Sequence, residues 1–408
     1  MQNANRRMQN QDRQSCVDPL VTFLISSYNR RDVLLRTLDE LREVDRRCGL
    51  VTETIVVDNA SRDGTADAVA SEFPRVQLIR QRRNTGACAK NAGLAVAAGA
   101  FVVFLDDDSF PTVGSIRKMV EHFLADESLG AAVFDVLLPD GSHESSAYPS
   151  VVIGCGTGFR RAALQQVGGL PTDFFMQAEE YDLSLRLLDS RWTIRRFDDL
   201  QVRHLKTAAA RVPARTTRLD MRNNLMVATR YFPRHWMLPF AIDWARRYWW
   251  IAGTKGRRHQ LAALRGAAEG TFRSLLPGHR RPIGLAAFEQ FAMIVTIRRA
   301  MEQAKYRHRL QSIVLIDIGK NLLPFFLAAQ ASGIHIAAIA DSKLSANGRK
   351  YRGVKVVSDD EASRLMCDAS IITNISPAHA AQRTTSCRNS GLLVIDLFEQ
   401  VQYAAIAA

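Results

Sequence analysis

Short apolar runs punctuate the N-terminal part of the chain, and each stops at a polar turn. LVTFLISS at 20–27 gives way to YNRRD, ETIVVD ends at Asp58 before NASRDGT, VQLIR occupies 76–80, and FVVFL delivers Asp106, Asp107 and Asp108. Runs of this length, rich in β-branched residues and bounded by turn formers, predict buried strands. Helical patterns lie between them. In RDVLLRTLDELREV the apolar positions Leu34, Leu38, Leu41 and Val44 recur at three- and four-residue spacing. Residues 65–72 read as a second helix, and NTGACAKNAGLAVAAG combines a glycine-containing start with an alanine-rich body suited to close packing on a sheet. Alternating strands and helices predict an α/β fold with a doubly wound, mostly parallel sheet, whose ligands bind at the carboxyl ends of the strands.

The pattern then changes twice. Residues 129–153 read as further strands and a loop, GCGTGFRRAALQQVGGLP as a glycine-rich turn, a short helix and a second turn, and AEEYDLSLRLL as a helix led by Glu179, Glu180 and Asp182. From 213 to 308 no strand pattern remains; arginines abound, and HWMLPFAIDWARRYWWIAG holds four of the five tryptophans. This segment is expected to be helical. Strand and helix patterns return in SIVLIDIG, NLLPFFLAAQASG, IHIAAIAD, GVKVVS, CDASIIT and LLVIDLF, which predict a second, smaller Rossmann-like domain. The expected divisions are a disordered tail at 1–18, a catalytic domain at 19–212, a basic helical segment at 213–308 and the Rossmann-like domain at 309–408.

Composition narrows the picture. With 408 residues, 47% hydrophobic and 23% charged, the chain has the make-up of a soluble globular protein of two or three domains. The longest apolar stretch, 322–340, is interrupted by Pro324, Gln330 and His335, so no membrane span is expected. The polar start MQNANRRMQNQDRQ has no secretory h-region, and a cytoplasmic protein is expected. Six cysteines without a CxxC pair argue against a zinc site or a disulfide framework. The net charge of +13 is concentrated, because residues 211–310 carry 20 Lys and Arg against 5 acids.

Acids at two strand ends, Asp58 and the 106–108 cluster, raise the question of a cation. Adjacent carboxylates repel, and burying them unpaired costs several kcal/mol, so the cluster is either a solvated acidic turn or part of a cation-dependent nucleotide site. Two such ends on one sheet edge favour the nucleotide site. In an extended segment alternate side chains share a face, which would let Asp106 and Asp108 point together while Asp107 turns toward the scaffold. The positive end of a helix dipole accounts for one of Glu179, Glu180 and Asp182, and poorly for three.

Taken in order, SSYNRRD, VVDNASRDGT, NTGACAKNAG, FLDDDSFP, GTGFRR and AEEYDLSLRLL resemble the family-two glycosyltransferases of GT-A fold, over roughly residues 20–230. The resemblance implies a nucleotide-sugar donor whose diphosphate is balanced by Mn²⁺ or Mg²⁺, both suited to hard carboxylate oxygens. By that analogy Asp106 and Asp108 form the DxD motif, with Asp108 on the metal and Asp106 on the ribose or a metal-bound water, and His204 joins the metal shell. Ser27, Tyr28, Asn29, Asp58, Gly86, Lys90, Asp106 and Asp107 are the implied nucleotide-sugar contacts. The general base falls to Glu180, where the family commonly has Asp in an E-D-x-D pattern, with Glu179 and Asp182 as the other candidates; inverting transfer to a hydroxyl acceptor is implied.

The acceptor is a glycan, a lipid-linked glycan or a small molecule. TRLDMRNNLMVATRYFP resembles the RN-containing helix that follows the catalytic domain in rhamnosyl- and related transferases. With the aromatic and arginine interleaving of 236–250, residues 213–260 fit either a peripheral contact with the anionic inner membrane face or a helical bundle between domains. No nucleic acid is expected; a homodimer is left open. The C-terminal part is similar to the small Rossmann-like domain of sugar O-acyltransferases and some oxidoreductases, with Asp341 at the ribose position. Its first turn, DIGKNLLP, keeps only Gly319 of the dinucleotide fingerprint, so no NAD site is expected. Two other functions fit less well. A sugar-phosphate nucleotidyltransferase would need a glycine-rich basic loop where SSYNRRD stands, and a catalytically silent nucleotide-sugar scaffold or sensor draws on the Glu180 departure.

Overall fold

A computed structural model of the chain describes residues 18–207, 213–389 and 393–398. All but Asp18 of the tail expected at 1–18 lies outside them. Strand β1 (Val21–Ser27) leads to α1 (Arg31–Cys48), β2 (Thr52–Asp58), α2 (Thr65–Glu72), β3 (Gln77–Arg80), the short α3 (Lys90–Leu94) and β4 (Phe101–Asp106). A tight turn joins β4 to β5 (Ser109–Pro111); then come α4 (Ser115–Ala125), β6 (Leu129–Leu137), β7 (His143–Glu144), β8 (Thr157–Arg160), α5 (Arg161–Val167), α6 (Glu179–Asp189) and β9 (Thr193–His204).

These strands form a nine-stranded sheet in the order β3-β2-β1-β4-β8-β6-β9-β5, with β7 paired to β6. Strands β1 to β4 run parallel, β8 is antiparallel to β4 and β6, β9 is parallel to β6, and β5 is antiparallel to β9. The expected α/β architecture with a large, mostly parallel sheet is therefore present. Its register sets the site, because Ser27 pairs with Asp58 and Ser26 with Asp106, so the polar ends of β1, β2 and β4 stand level on one edge.

Alternation along the strands feeds two cores. Phe23, Ile25, Val103 and Leu105 face α1 and α4, where Leu34, Leu38, Leu41, Val44 and Phe123 are buried. Leu24, Val57, Val102 and Phe104 face the opposite side. Strands β8 and β9 are absent from the sequence expectation. The β9 stretch TIRRFDDLQVRH is mostly polar, and its pairing with β6 jumps from Phe197 to Gln201, so no even alternation marks it.

The expected helical segment consists of α7 (Pro213–Tyr231), α8 (Arg234–Thr254), α9 (Arg257–Ser274), α10 (Leu285–Ala292) and α11 (Ile294–His308). Gly266 and Gly270 let α9 lie directly on α7: a Cβ on either would stand 2.2 Å from the Arg218 carbonyl oxygen or 2.9 Å from that of Arg222. The chain continues through β10 (Ser312–Ile316), α12 (Leu322–Ala331), β11 (His335–Ala340), β12 (Lys350–Tyr351), β13 (Val354–Val357), α13 (Asp359–Ala362), β14 (Ala369–Ile372), α14 (Pro377–Asn389) and β15 (Val394–Ile395). This second sheet has the order β12-β13-β11-β10-β14-β15 and is parallel apart from β12, a doubly wound arrangement.

One apolar cluster runs from Leu24 through Tyr148, Trp244 and Phe291 to Phe325, so the large sheet, the helices and the second sheet share a core. Among the described residues no helix is long and apolar enough to cross a membrane.

Candidate active site

The level strand ends open into a cavity of about 550 Å³. Its floor is Ser26, Ser27 and Asp106 from β1 and β4; Tyr28, Asn29 and Arg30 form one rim, and Glu179 and Glu180 at the start of α6 stand across from them. Gly86 and Lys90 line it too, as do Glu144, Cys155, His204 and Arg215.

The three aspartates divide differently from simple alternation. Asp106 ends β4, but Asp107 and Asp108 sit in the turn before β5, so the segment is not extended throughout. Asp106 faces the cavity half-exposed, with Lys90 Nζ 3.3 Å from its Oδ1. Asp107 and Asp108 share one guanidinium: Arg30 Nη1 is 2.9 Å from Asp107 and Nη2 2.9 Å from Asp108. Asp107 also accepts a hydrogen bond from Ser27 Oγ at 2.8 Å, and burial pushes its carboxyl up to about 6 in spite of Arg30. Burial would raise Asp108 as well, yet His204, the Thr207 hydroxyl and Arg30 hold it well below the usual carboxylate range. Asp107 thus turns toward the scaffold and lies off the cavity, away from the nucleotide contact the resemblance implied for it, and Asp108, implied as a direct metal ligand, lies beneath the cavity wall, joined to the cavity through His204.

His204, at the end of β9, is clamped between acids. Its Nε2 is 3.3 Å from Asp108 Oδ1 and its Nδ1 2.9 Å from Glu144 Oε2. Burial disfavours its charge, but hydrogen bonds to Asp108, Cys155 and Glu144 push its pKa up to about 12. Asp106, Cys155 and His204 each bring a ligand atom within 4.8 Å of the others. Carboxylate and imidazole donors suit a divalent cation, and Asp108 stands directly behind the imidazole; the residues fit such an ion. Cys155 and Glu144 were missed by the sequence reading, since a lone cysteine and a glutamate in a two-residue strand carry no pattern.

The acids of α6 also separate. Asp182 faces away from the cavity, held by Arg186 at 2.6 Å, Arg230 at 3.3 Å and the Tyr231 hydroxyl at 2.6 Å. It ties α6 to α7, which accounts for an acid there without any chemistry. Glu179 and Glu180 line the cavity, and burial raises both carboxyls, helped for Glu179 by Glu180 and for Glu180 by Asp106. Among the described residues Glu179 Oε2 is buried without a hydrogen-bond partner.

The loop before α6 is strained and fully braced. Phe175, Gln177 and Ala178 all have left-handed φ, at 67°, 72° and 65°, an uncommon backbone for residues with side chains. Asn223 Nδ2 on α7 donates to the carbonyls of Phe174, Met176 and Gln177 at 3.1, 2.8 and 2.7 Å. Arg222 donates to those of Asp173 and Phe174, and the Ala87 amide to that of Phe175 at 2.6 Å. Gly86 is required beside this last contact, since its φ is +73° and a Cβ would stand 1.8 Å from the Phe175 oxygen.

The other expected residues are placed as follows. Ser27 is spent on Asp107; Tyr28 is exposed at the rim. Asn29 adopts left-handed φ and accepts from the Arg62 amide at 2.8 Å. Asp58 is buried at the end of β2, where it accepts from the Ser61 amide at 3.3 Å; its neighbour Asn59 reaches the cavity. Lys90 is buried, bridging Asp106 and the Gly154 carbonyl at 3.2 Å.

Residues 22–137, which supply β1 to β6 and all three aspartates, match the family model described as glycosyl transferase family 2. This stretch is a family 2 glycosyltransferase domain. The chain shares 34% identity over 129 residues with the succinoglycan biosynthesis protein ExoO of Rhizobium meliloti, covering 30% of this chain and 35% of that protein. It shares 28% over 113 residues with the Escherichia coli UDP-Glc:alpha-D-GlcNAc-diphosphoundecaprenol beta-1,3-glucosyltransferase WfaP, covering 27% and 43%. Among solved structures, the mannosyltransferase PcManGT from Pyrobaculum calidifontis, in complex with GDP-Man and Mn²⁺, aligns with 81% of this chain and 94% of its own at 21% identity and a TM-score of 0.44. The chain thus spans less than half the length of these two curated relatives. The match ends before α6, so Glu179, Glu180 and His204 lie beyond the matched residues.

Proposed function

We propose that the protein is a divalent-cation-dependent, inverting glycosyltransferase that moves a sugar from a nucleotide-sugar donor to a hydroxyl acceptor. One observation carries this reading: the half-exposed Asp106 of the family 2 domain and the buried Glu180 face one cavity of nucleotide-sugar size. Asp106 and His204 would hold the cation, with Asp108 fixing the imidazole from behind, and the ion would neutralise the diphosphate as it leaves. Lys90, buried beside Asp106, adds positive charge on the same side. Ser27, Tyr28, Asn29, Asp58 with Asn59, and Gly86 form the edge that would take the nucleoside.

Glu180 is the proposed base. It would accept the acceptor's hydroxyl proton as the oxygen attacks the anomeric carbon opposite the leaving diphosphate, which inverts that centre in one displacement. Burial and the charge of Asp106 raise its pKa and make it a stronger proton acceptor. Glu179, beside it in the first turn, would line the acceptor approach. The diphosphoundecaprenol-linked acceptor named for WfaP makes a lipid-linked glycan the acceptor class to test first.

The deciding experiment is turnover of a panel of UDP-, GDP- and dTDP-sugars with Mn²⁺, with Mg²⁺ and with EDTA. Metal-stimulated release of nucleoside diphosphate is expected, abolished by EDTA. Donor binding without turnover on any donor would instead favour a silent sensor.

A further inference from the structure

The outward faces of α8 and α9 are apolar where a solvated helix would be polar. On α8 the exposed residues Leu238, Ile242 and Trp249 recur at four- and seven-residue spacing. On α9 a second stripe runs through Leu261, Leu264, Ala268, Phe272 and Leu275, with Leu261 61%, Phe272 65% and Leu275 79% exposed. The inner side of α9, Ala262, Ala263, Gly266 and Gly270, is already buried against the chain. Helix α9 is therefore apolar on two sides, and packing within the chain explains only one.

Charge identifies what covers the other. Residues 234–281 carry ten Lys and Arg against two acids, Asp243 and Glu269. Asp243 is buried against the Tyr351 hydroxyl, and Glu269 pairs with Arg218 at 2.9 Å. Neither acid is left to offset the cations. Exposed Lys255, Arg257 and Arg258 cluster at the turn between α8 and α9, and Arg265 flanks the α9 stripe.

We propose that the α8–α9 hairpin lies in the surface of an anionic lipid bilayer, its apolar stripes at the boundary of headgroups and acyl chains and its cations on the lipid phosphates. A second copy of the chain would set the same positive excess against itself. This surface stands independently of the transferase reading. It also refines the region expected from sequence, since Trp244 is fully buried and the exposed apolar residues extend past 260 along α9.

The test is co-sedimentation of the full chain with vesicles of equal parts phosphatidylglycerol and phosphatidylcholine, and with phosphatidylcholine alone. Binding to the anionic vesicles is expected, weakened about tenfold or more by raising salt from about 0.1 to about 0.5 M. The triple variant Leu261→Ser/Phe272→Ser/Leu275→Ser keeps the net charge and should lose most of the binding while its circular dichroism and Tm match the parent. Absence of binding by the parent would overturn the proposal, as would full binding by the triple variant, which would assign it to diffuse positive charge. A parent that is dimeric by light scattering, beside a monomeric variant, would give the surface to a second copy and equally overturn it.

Discussion

Lys320, in the first turn of the C-terminal sheet, places its ammonium 3.7 Å from the ring centre of Tyr181, the residue that follows Glu180. Tyr148 and Trp244 both donate to the Lys320 carbonyl, at 2.9 and 3.1 Å, and Trp244 and Tyr248 complete an aromatic cage around the side chain. The turn where a dinucleotide-binding sheet would meet phosphate is thus packed against the back of the helix that carries Glu180. Asp341, expected at a ribose position, is bonded to the amides of Ile318, Lys343 and Leu344 at 3.0 Å.

Burial and Arg247 push the Lys320 pKa down to about 7, against the pull of Asp220 and Glu180. Between that value and the ordinary value near 10.5, the unfolded chain holds a proton that the folded chain has released. Stability therefore rises with pH across this window, by at most about 1.4 kcal/mol per pH unit from this group. Urea unfolding of the parent and of Lys320→Met from pH 7 to 10 should show the rise in the parent and a flatter curve in the variant.

The raised carboxyl of Glu180 places the acid limb of the rate profile above the ordinary glutamate range, because the base must be ionised to act. Glu180→Gln should cost about 10²- to 10⁴-fold in transfer rate and remove that limb. It should also remove the fall in stability that the parent shows as pH rises from the ordinary glutamate range toward the raised value. Full activity in Glu180→Gln would sink the assignment.

Asp106 and Asp108 should separate in stability while agreeing in activity. Asp106→Asn removes a half-exposed carboxylate with one partner, Lys90, so metal-stimulated turnover should vanish with stability changed by about 1 kcal/mol or less. Asp108→Asn breaks a buried cluster with Arg30, His204 and Thr207 and should cost about 1–3 kcal/mol besides. Because the Asp108 carboxyl is depressed, its contribution is present above the usual carboxylate range and lost as pH falls through the lowered value. Thermal unfolding followed from about pH 7 down to about pH 2 measures the difference.

Asn223→Ala should slow turnover while leaving donor binding nearly intact. The change strips the Met176 and Gln177 carbonyls of their side-chain donor, at a cost of about 1–3 kcal/mol, and frees the left-handed loop that aims Glu180. Asn223→Asp keeps the volume but not the donors, and should behave alike. A fall in donor affinity as large as the fall in rate would point to a general structural role.

The first half of the large sheet was legible because β1, β2 and β4 are largely buried and so read as apolar runs that stop at polar residues, in β2 and β4 at acids. Strand β9 was not, since its polar residues and shifted pairing erase the period of two, and with it went any view of what surrounds His204. Neighbours brought in from afar were equally invisible: Arg30 between Asp107 and Asp108, Glu144 and Cys155 beside His204, and Arg230 with Tyr231 on Asp182. The three acids of α6 could be seen together, but only the partners contributed by α7 separate the structural Asp182 from the two glutamates in the cavity.

The change in composition near residue 213 looks like a natural place to cut the chain, yet Arg222 and Asn223 lie beyond it and hold the loop that leads into α6. A fragment ending at 212 would keep every proposed reacting group and lose the clamp that aims them. Anyone exchanging helical segments between such enzymes to redirect their acceptors would therefore need to place the junction after Tyr231, because an earlier splice would alter the catalyst together with its choice of acceptor.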